Sequence, residues 1–151
     1  MTIQGKTIIK YGVIFALIFF INKYYFHYTD KYYRCDISIR PSIFEWNTKN
    51  VKDSLRALKF GYSEGYSKIC ENIDKIVSAP SCGGWQGGCH YGKSGEIYLS
   101  TSHKEFIGWT AAVIVHETCH DIQTKEGRPM EEPECYSAHH DALRALVEVE
   151  K

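Results

Sequence analysis

The motif His-Glu-Thr-Cys-His, at residues 116–120, joins residue types that together could bind a metal and hydrolyse a bond. On a helix, the side chains of His116 and His120 project from one face, one turn apart, so that both imidazoles can hold one ion. Glu117 then lies beside the ion without taking a ligand position, where its carboxylate can accept a proton from a bound water. The pattern predicts a Zn²⁺ site with Glu117 as the general base.

A third protein ligand is expected after the motif, because a catalytic zinc usually has three. Glu134 is our first choice because it falls in the first turn of the predicted last helix, on a face where a small residue permits close approach. His139 and His140 remain alternatives. We interpret Glu131 and Glu132 instead as carboxylates that balance the N-terminus of that helix.

The sequence around these residues predicts helices and strands that together form an α+β fold, mostly helical with a small sheet. Apolar periodicity and β-forming residues define the elements. In chain order they are a helix from residue 50, a helix over 66–77, a strand over 95–101, the motif helix ending near Thr124, and a last helix from Pro133 to about Val147. Ser102 or Thr101, with Glu105, is interpreted as a cap of the motif helix.

The N-terminal segment is basic and apolar, with an uncharged run between Lys10 and Lys23. This run is short for a bilayer span of roughly 20 residues, but lysines can extend it by snorkelling. No small-x-small cleavage site follows, which favours an uncleaved signal-anchor over a cleaved signal or a buried core helix. We expect a membrane-anchor helix over residues 1–29, a connector over 30–48 and one disulfide-stabilised domain over 49–151.

Six cysteines all follow the apolar segment. An even number behind an export signal is typical of a disulfide framework, which predicts a single-pass membrane protein whose C-terminal domain is periplasmic or extracellular. The glycine-rich loop between Cys82 and Cys89 favours a local bridge, while the other pairings stay open. A cytosolic protein with free thiols is an alternative. Because the formal net charge is zero, nothing indicates a nucleic-acid partner.

Residues 95–146 resemble a minimal zincin metallopeptidase of the gluzincin type. The resemblance rests on a strand GEIYLS, an active-site helix AAVIVHETCHDI and a following helix PECYSAHHDAL. It implies that His116, His120 and Glu134 bind zinc, that Glu117 is the general base, and that water fills the fourth position. The expected fold is therefore a minimal zincin domain with an edge strand, preceded by the anchor helix.

The same resemblance implies a peptide or protein substrate, which would add as a strand along the edge strand. The residues expected to contact it there are Ile97, Tyr98, Leu99 and Ser100. A second donor to the developing oxyanion is also expected. The candidates are Tyr136, His139, His140, His103 and Tyr91, and Trp85 or Tyr91 is a candidate to line the cleft.

The ligand set also bears on the remaining cysteines. If Glu134 reaches the zinc, Cys119 and Cys135 must be near neighbours, which predicts a disulfide between them; a free, buried Cys119 is the alternative. Cys35 would then most simply pair with Cys70. The competing hypothesis for the whole chain is a non-enzymatic, disulfide-stapled envelope domain that binds a protein, in which the thiolate of Cys119 closes a structural metal site as a fourth ligand.

Overall fold

The computed structural model describes residues 3–42, 48–82, 87–100 and 106–149, which form an α+β fold of five helices and one five-stranded mixed sheet. The elements, in chain order, are α1 (Ile3–Phe26), β1 (His27–Asp30), β2 (Cys35–Arg40), α2 (Lys49–Gly61), α3 (Ser63–Asn72), β3 (Lys75–Ser78), β4 (Gly88–Cys89), β5 (Glu96–Leu99), α4 (Ile107–Lys125) and α5 (Glu132–Val149). The expected cap at residues 101–105 lies outside the described residues.

The N-terminal segment forms helix α1, but the expected membrane anchor is wrong. Among the helices of the described residues, none combines the length and the apolarity needed to cross a bilayer. The physical reason is the short uncharged run between Lys10 and Lys23, compared with the roughly 20 residues that a span needs. The predicted localisation, a single-pass membrane protein with an extracytoplasmic domain, required a membrane-spanning α1 and is therefore wrong as well.

Strands from the expected anchor and connector segments belong to the sheet. The strand order is β1-β2-β3-β5-β4, in which β2, β3 and β5 run parallel while β1 and β4 are antiparallel edges. The helix expected through Ile76 ends at Asn72, and Ile73 is already extended at φ −108° and ψ 121°. Ile76 and Val77, which follow, are as compatible with a buried strand as with a helix. They form strand β3 because this segment pairs with both β2 and β5.

Strand β5 forms where the sequence predicts it, but it is not an edge strand. Its two neighbours are β3 and β4, with Gly88 opposite Leu99 and Cys89 opposite Tyr98. Ser100, just past the strand, is bonded to Gly87 through its backbone N–H and its hydroxyl. Residues 97–100 therefore have no free edge for a substrate strand, and β4 provides the edge nearest the motif helix.

Helix α4 is the central element of the molecule. It packs against α2, α3, α5 and the sheet, and its buried run from Thr110 to Thr118 joins the core. The core itself consists of apolar side chains from one sheet face and four helices, including Ile37, Ile76, Ile97, Leu99, Leu55, Leu58, Ile69, Ile114 and Ala142. Asp121 accepts the backbone N–H of Gly95 at 2.6 Å, which attaches the start of β5 to α4. The motif is thus held on a rigid, buried helix.

Candidate metal centre

His116 and His120 face each other across one turn of α4, as the motif predicts. Their Nε2 atoms are 3.1 Å apart, and their side chains are 11% and 6% exposed. Burial, with the neighbouring His120, lowers the pKa of His116. Two imidazoles whose nitrogens converge at this distance are suited to a shared cation.

Glu132, the first residue of α5, completes a group of three possible ligands. Its carboxylate oxygens lie 3.3 Å from Nε2 of His116 and 3.5 Å from Nε2 of His120. The ligand atoms of the three side chains all lie within 4.8 Å of one another. Ligands of a tetrahedral zinc, at about 2.0–2.2 Å from the metal, are roughly 3.3–3.5 Å apart. The donor set and its spacing therefore fit Zn²⁺.

Glu134, the expected third ligand, is not brought to the histidine pair. Its carboxylate receives two hydrogen bonds from the guanidinium of Arg128, at 2.8 and 3.2 Å, and one from the amide of Gln123 at 2.8 Å. The Arg128 guanidinium and the Gln123 amide hold the pKa of Glu134 down, at about 2. Since successive helix residues are rotated by about 100°, Glu134 lies on nearly the opposite side of α5 from Glu132.

A signal for Glu132 is present in the sequence of α5. The buried residues of this helix are Cys135, His139, Ala142 and Leu146, which are separated by four, three and four residues. Extended backwards by three residues, this stripe reaches Glu132 and passes by Glu134. The buried face of the helix, rather than the first turn by itself, selects the residue that meets the histidines.

Glu117 lies beside the three candidate ligands and is almost fully buried, at 4% exposure. Its Oε2 atom has no hydrogen-bond partner among the described residues. Burial, together with the negative charge of Glu132, raises the pKa of Glu117 to about 8. A buried carboxyl without a partner is costly, and a cation or a bound substrate group next to it would relieve that cost.

The site opens into a cleft of about 630 Å³. Its lining combines the metal group with the edge strand β4, aromatic rings and Met130. The ring of Tyr136 lies 4.8 Å from that of His116, and the ring of His139 lies 6.1 Å from it. His140 lines the cleft as well. These three are the expected oxyanion donors that the structure brings to the site.

The other aromatic and imidazole candidates are elsewhere. Tyr91 is exposed and packs against Tyr98, with ring centroids 4.8 Å apart, rather than lining the cleft. His103 and Trp85 lie outside the described residues. Trp109, which the sequence places on the motif helix, lines the cleft and packs edge-on against His139 at 5.0 Å.

All six cysteines form disulfides, and the pairs are those expected: Cys35–Cys70, Cys82–Cys89 and Cys119–Cys135. The last pair joins α4 to α5, and Sγ of Cys135 is 3.5 Å from Nδ1 of His120. Cys119 consequently has no thiolate to offer a metal. Three disulfides are typical of a protein that folds in an oxidising compartment.

The chain matches no protein-family model, no curated protein sequence and no solved structure.

Proposed function

We propose that this protein is a zinc-dependent peptidase in which His116, His120 and Glu132 hold the metal and Glu117 is the general base. One observation carries the proposal: three ligand atoms of suitable type converge in a cleft, and the buried carboxyl of Glu117 lines the same cleft. Metal ligands together with a buried carboxyl, inside a substrate-sized cleft, are the combination that hydrolysis requires.

Each group has a distinct part in the proposed chemistry. Zinc, when bound, would supply a Lewis acid that polarises a carbonyl and lowers the pKa of water. Glu117 would accept the proton of the attacking water and deliver it to the leaving amine. The positive charge of a metal favours the ionised form of the neighbouring carboxyl, so that Glu117 can act as a base near neutral pH. The hydroxyl of Tyr136, whose ring packs against His116, would donate to the developing oxyanion.

The edge strand β4 supports a peptide as the substrate class. Gly87 pairs with Ser100, and the carbonyl of Leu99 accepts a hydrogen bond from Ala79 on the β3 side. Because antiparallel pairing alternates, the N–H and C=O groups of Gly88, a residue that lines the cleft, point away from β5. An extended peptide could add to this edge through backbone hydrogen bonds, next to the candidate metal group.

A structural metal site is less well supported. Such a site needs a fourth protein ligand, and the thiolate of Cys119 was the candidate. The disulfide with Cys135 removes that thiolate. Within the described part of the chain, the group of possible ligands has three members, which leaves the open position that a catalytic zinc needs.

The test compares the wild-type chain with Glu117→Gln, both loaded with Zn²⁺. We expect equal zinc content in the two proteins and a loss of peptide cleavage of about 100-fold or more in the variant. Cleavage of a mixture of synthetic peptides, followed by mass spectrometry, provides the readout. Glu71→Gln, an exposed change on α3, is the matched control and should retain activity. Wild-type protein that binds no zinc, or that binds zinc and cleaves no peptide, would refute the proposal.

A further inference from the structure

Gln123 is fully buried on α4, three residues after His120, and its side-chain amide makes four hydrogen bonds. The Oε1 atom accepts the backbone N–H of Glu131 at 3.0 Å and lies 3.1 Å from Nδ1 of His120. The Nε2 atom donates to the carbonyl of Glu131 at 3.2 Å and to the carboxylate of Glu134 at 2.8 Å. The hydrogen-bonding capacity of the amide is therefore fully used.

These partners determine which way the amide points. The backbone N–H of Glu131 can only donate, while its carbonyl and the Glu134 carboxylate, paired with Arg128, only accept. The oxygen of Gln123 must therefore face both the Glu131 N–H and His120. An amide oxygen only accepts, so Nδ1 of His120 carries a proton. In the neutral ring the lone pair is then on Nε2, the atom that faces His116 and Glu132.

The same amide also holds the start of α5. Two hydrogen bonds attach it to the backbone of Glu131, the residue immediately before Glu132. A third reaches the first turn of α5 through Glu134, whose carboxylate is in turn held by Arg128. Rotation or displacement of this turn would move the exposed side chain of Glu132 away from the histidines.

We infer that Gln123 is the positioning residue of the site: it fixes the Nδ1–H tautomer of His120 and holds the turn that carries Glu132. Glu134, through its bond to the amide, assists Gln123 and is not a ligand. The consequence for metal binding depends on the proposed function, whereas the tautomer and the position of the turn do not. Groups that orient a metal-binding histidine through its other nitrogen typically change metal affinity by about 10- to 100-fold when they are replaced.

The experiment uses the full metal-free chain and two readouts. Long-range ¹H–¹⁵N NMR reports the tautomer of His120, and competition with a chelator reports Zn²⁺ affinity. In the wild type we expect the Nδ1–H tautomer. In Gln123→Met, which keeps the length of the side chain and removes its hydrogen bonds, we expect a mixture with the Nε2–H form and zinc affinity lower by about 10- to 100-fold.

Two further variants separate positioning from general stability. Glu134→Gln keeps an oxygen that can accept from Gln123, so we expect it to preserve the tautomer and most of the zinc affinity. Thr118→Val removes a buried hydrogen bond to Ile114 on the same helix and should change neither readout.

The outcomes are distinguishable. An Nε2–H tautomer of His120 in the wild type would overturn the inference without any variant, even if Gln123→Met failed to fold. An unchanged tautomer and unchanged zinc affinity in a folded Gln123→Met would overturn it as well. A wild type with the Nδ1–H tautomer that binds no zinc would support the positioning role and refute the proposed peptidase instead.

Discussion

Gly88, on the edge strand β4, lies directly against the carboxylate of Glu117 on α4. A Cβ atom added at Gly88 would stand 2.7 Å from Cγ and 2.8 Å from Oε1 of Glu117, and 2.8 Å from Cγ1 of Val113. These distances are shorter than any ordinary Cβ contact. Glycine is therefore needed at this position for space, which brings the backbone of the proposed substrate edge next to the proposed general base.

Gly88→Ala should move the Glu117 carboxylate and reduce activity without removing the metal ligands. We expect peptide cleavage to fall by about 100-fold, since small displacements of a catalytic group have costs of this order. Zinc content should be unchanged. Gly12→Ala is the control, because a Cβ there meets nothing within 4 Å. Full cleavage activity in Gly88→Ala would show that the contact with Glu117 is without consequence.

The choice between Glu132 and Glu134 as the third ligand has a direct test. Glu132→Gln replaces a carboxylate that faces both histidines, so we expect a loss of zinc affinity of more than tenfold. Glu131→Gln changes the preceding carboxylate and should have little effect. Equilibrium dialysis against Zn²⁺ compares the wild type with Glu131→Gln, Glu132→Gln and Glu134→Gln. If Glu134→Gln loses more zinc than Glu132→Gln, the ligand assignment is wrong.

Removal of the Cys119–Cys135 disulfide should weaken both the fold and the site. The bridge closes a loop with a sequence separation of 16 residues, for which chain entropy predicts a stabilisation of about 3 kcal/mol. The double variant Cys119→Ala/Cys135→Ala should lose this stability in urea unfolding and also lose zinc affinity, because the bridge holds α5 against α4.

The matched control for this bridge is the double variant Cys35→Ala/Cys70→Ala. It removes a bridge with a sequence separation of 35 residues that joins β2 to α3, neither of which carries a candidate ligand. We expect a comparable loss of stability and unchanged zinc affinity. Equal zinc affinities in the two double variants would contradict a role for Cys119–Cys135 in holding the site.

Glu96 predicts a pH dependence of stability that is independent of the metal site. Burial alone would raise the pKa of Glu96, but Lys75, Lys93 and Tyr98 lower it from 4.5 to about 2. A carboxyl whose pKa is lower in the folded state stabilises the fold fully at pH values above its unfolded pKa. For Glu96 this stabilisation is lost as the pH falls from about 4.5 toward 2. Between pH 6 and pH 2.5 the wild type should lose on the order of 2 kcal/mol more than Glu96→Gln.

The measurement is the free energy of urea unfolding of both proteins at the two pH values. Glu96→Gln removes the titrating group and keeps a side chain of the same shape. Other carboxyls titrate in both proteins, so only the difference between them reports on Glu96. Identical pH dependence in the two proteins would show that the ion pairs with Lys75 and Lys93 do not stabilise the fold.

Local rules were sufficient for one part of the site. The face shared by His116 and His120 follows from helix periodicity, and the apolar run before them predicts that helix without knowledge of its neighbours. The pairing of Cys82 with Cys89 is local in the same sense. The end of α4 near Thr124 is also local, because Gly127 adopts a positive φ of 68° just beyond it.

Other features depended on which elements pack together. Residues 75–78 became strand β3 because β2 and β5 flank them, and β5 lost its free edge because β4 pairs with it. The membrane-anchor prediction failed for a different reason. The uncharged run between Lys10 and Lys23 is too short to span a bilayer, and the prediction required its flanking lysines to extend it by snorkelling.

The sequence by itself determined that two histidines and a glutamate share a helix, because those positions are one turn or less apart on the same backbone. Only the tertiary structure decided that Glu132 rather than Glu134 meets them. Which of the two glutamates faces the histidines depends on the rotation of α5 about its own axis. That rotation is set by the burial of Cys135, His139 and Ala142 against other elements. Such packing is a property of residues distant in sequence. The spacing of Cys135, Ala142 and Leu146 on α5 is compatible with Glu132 as the ligand, but it does not specify the element against which this face packs.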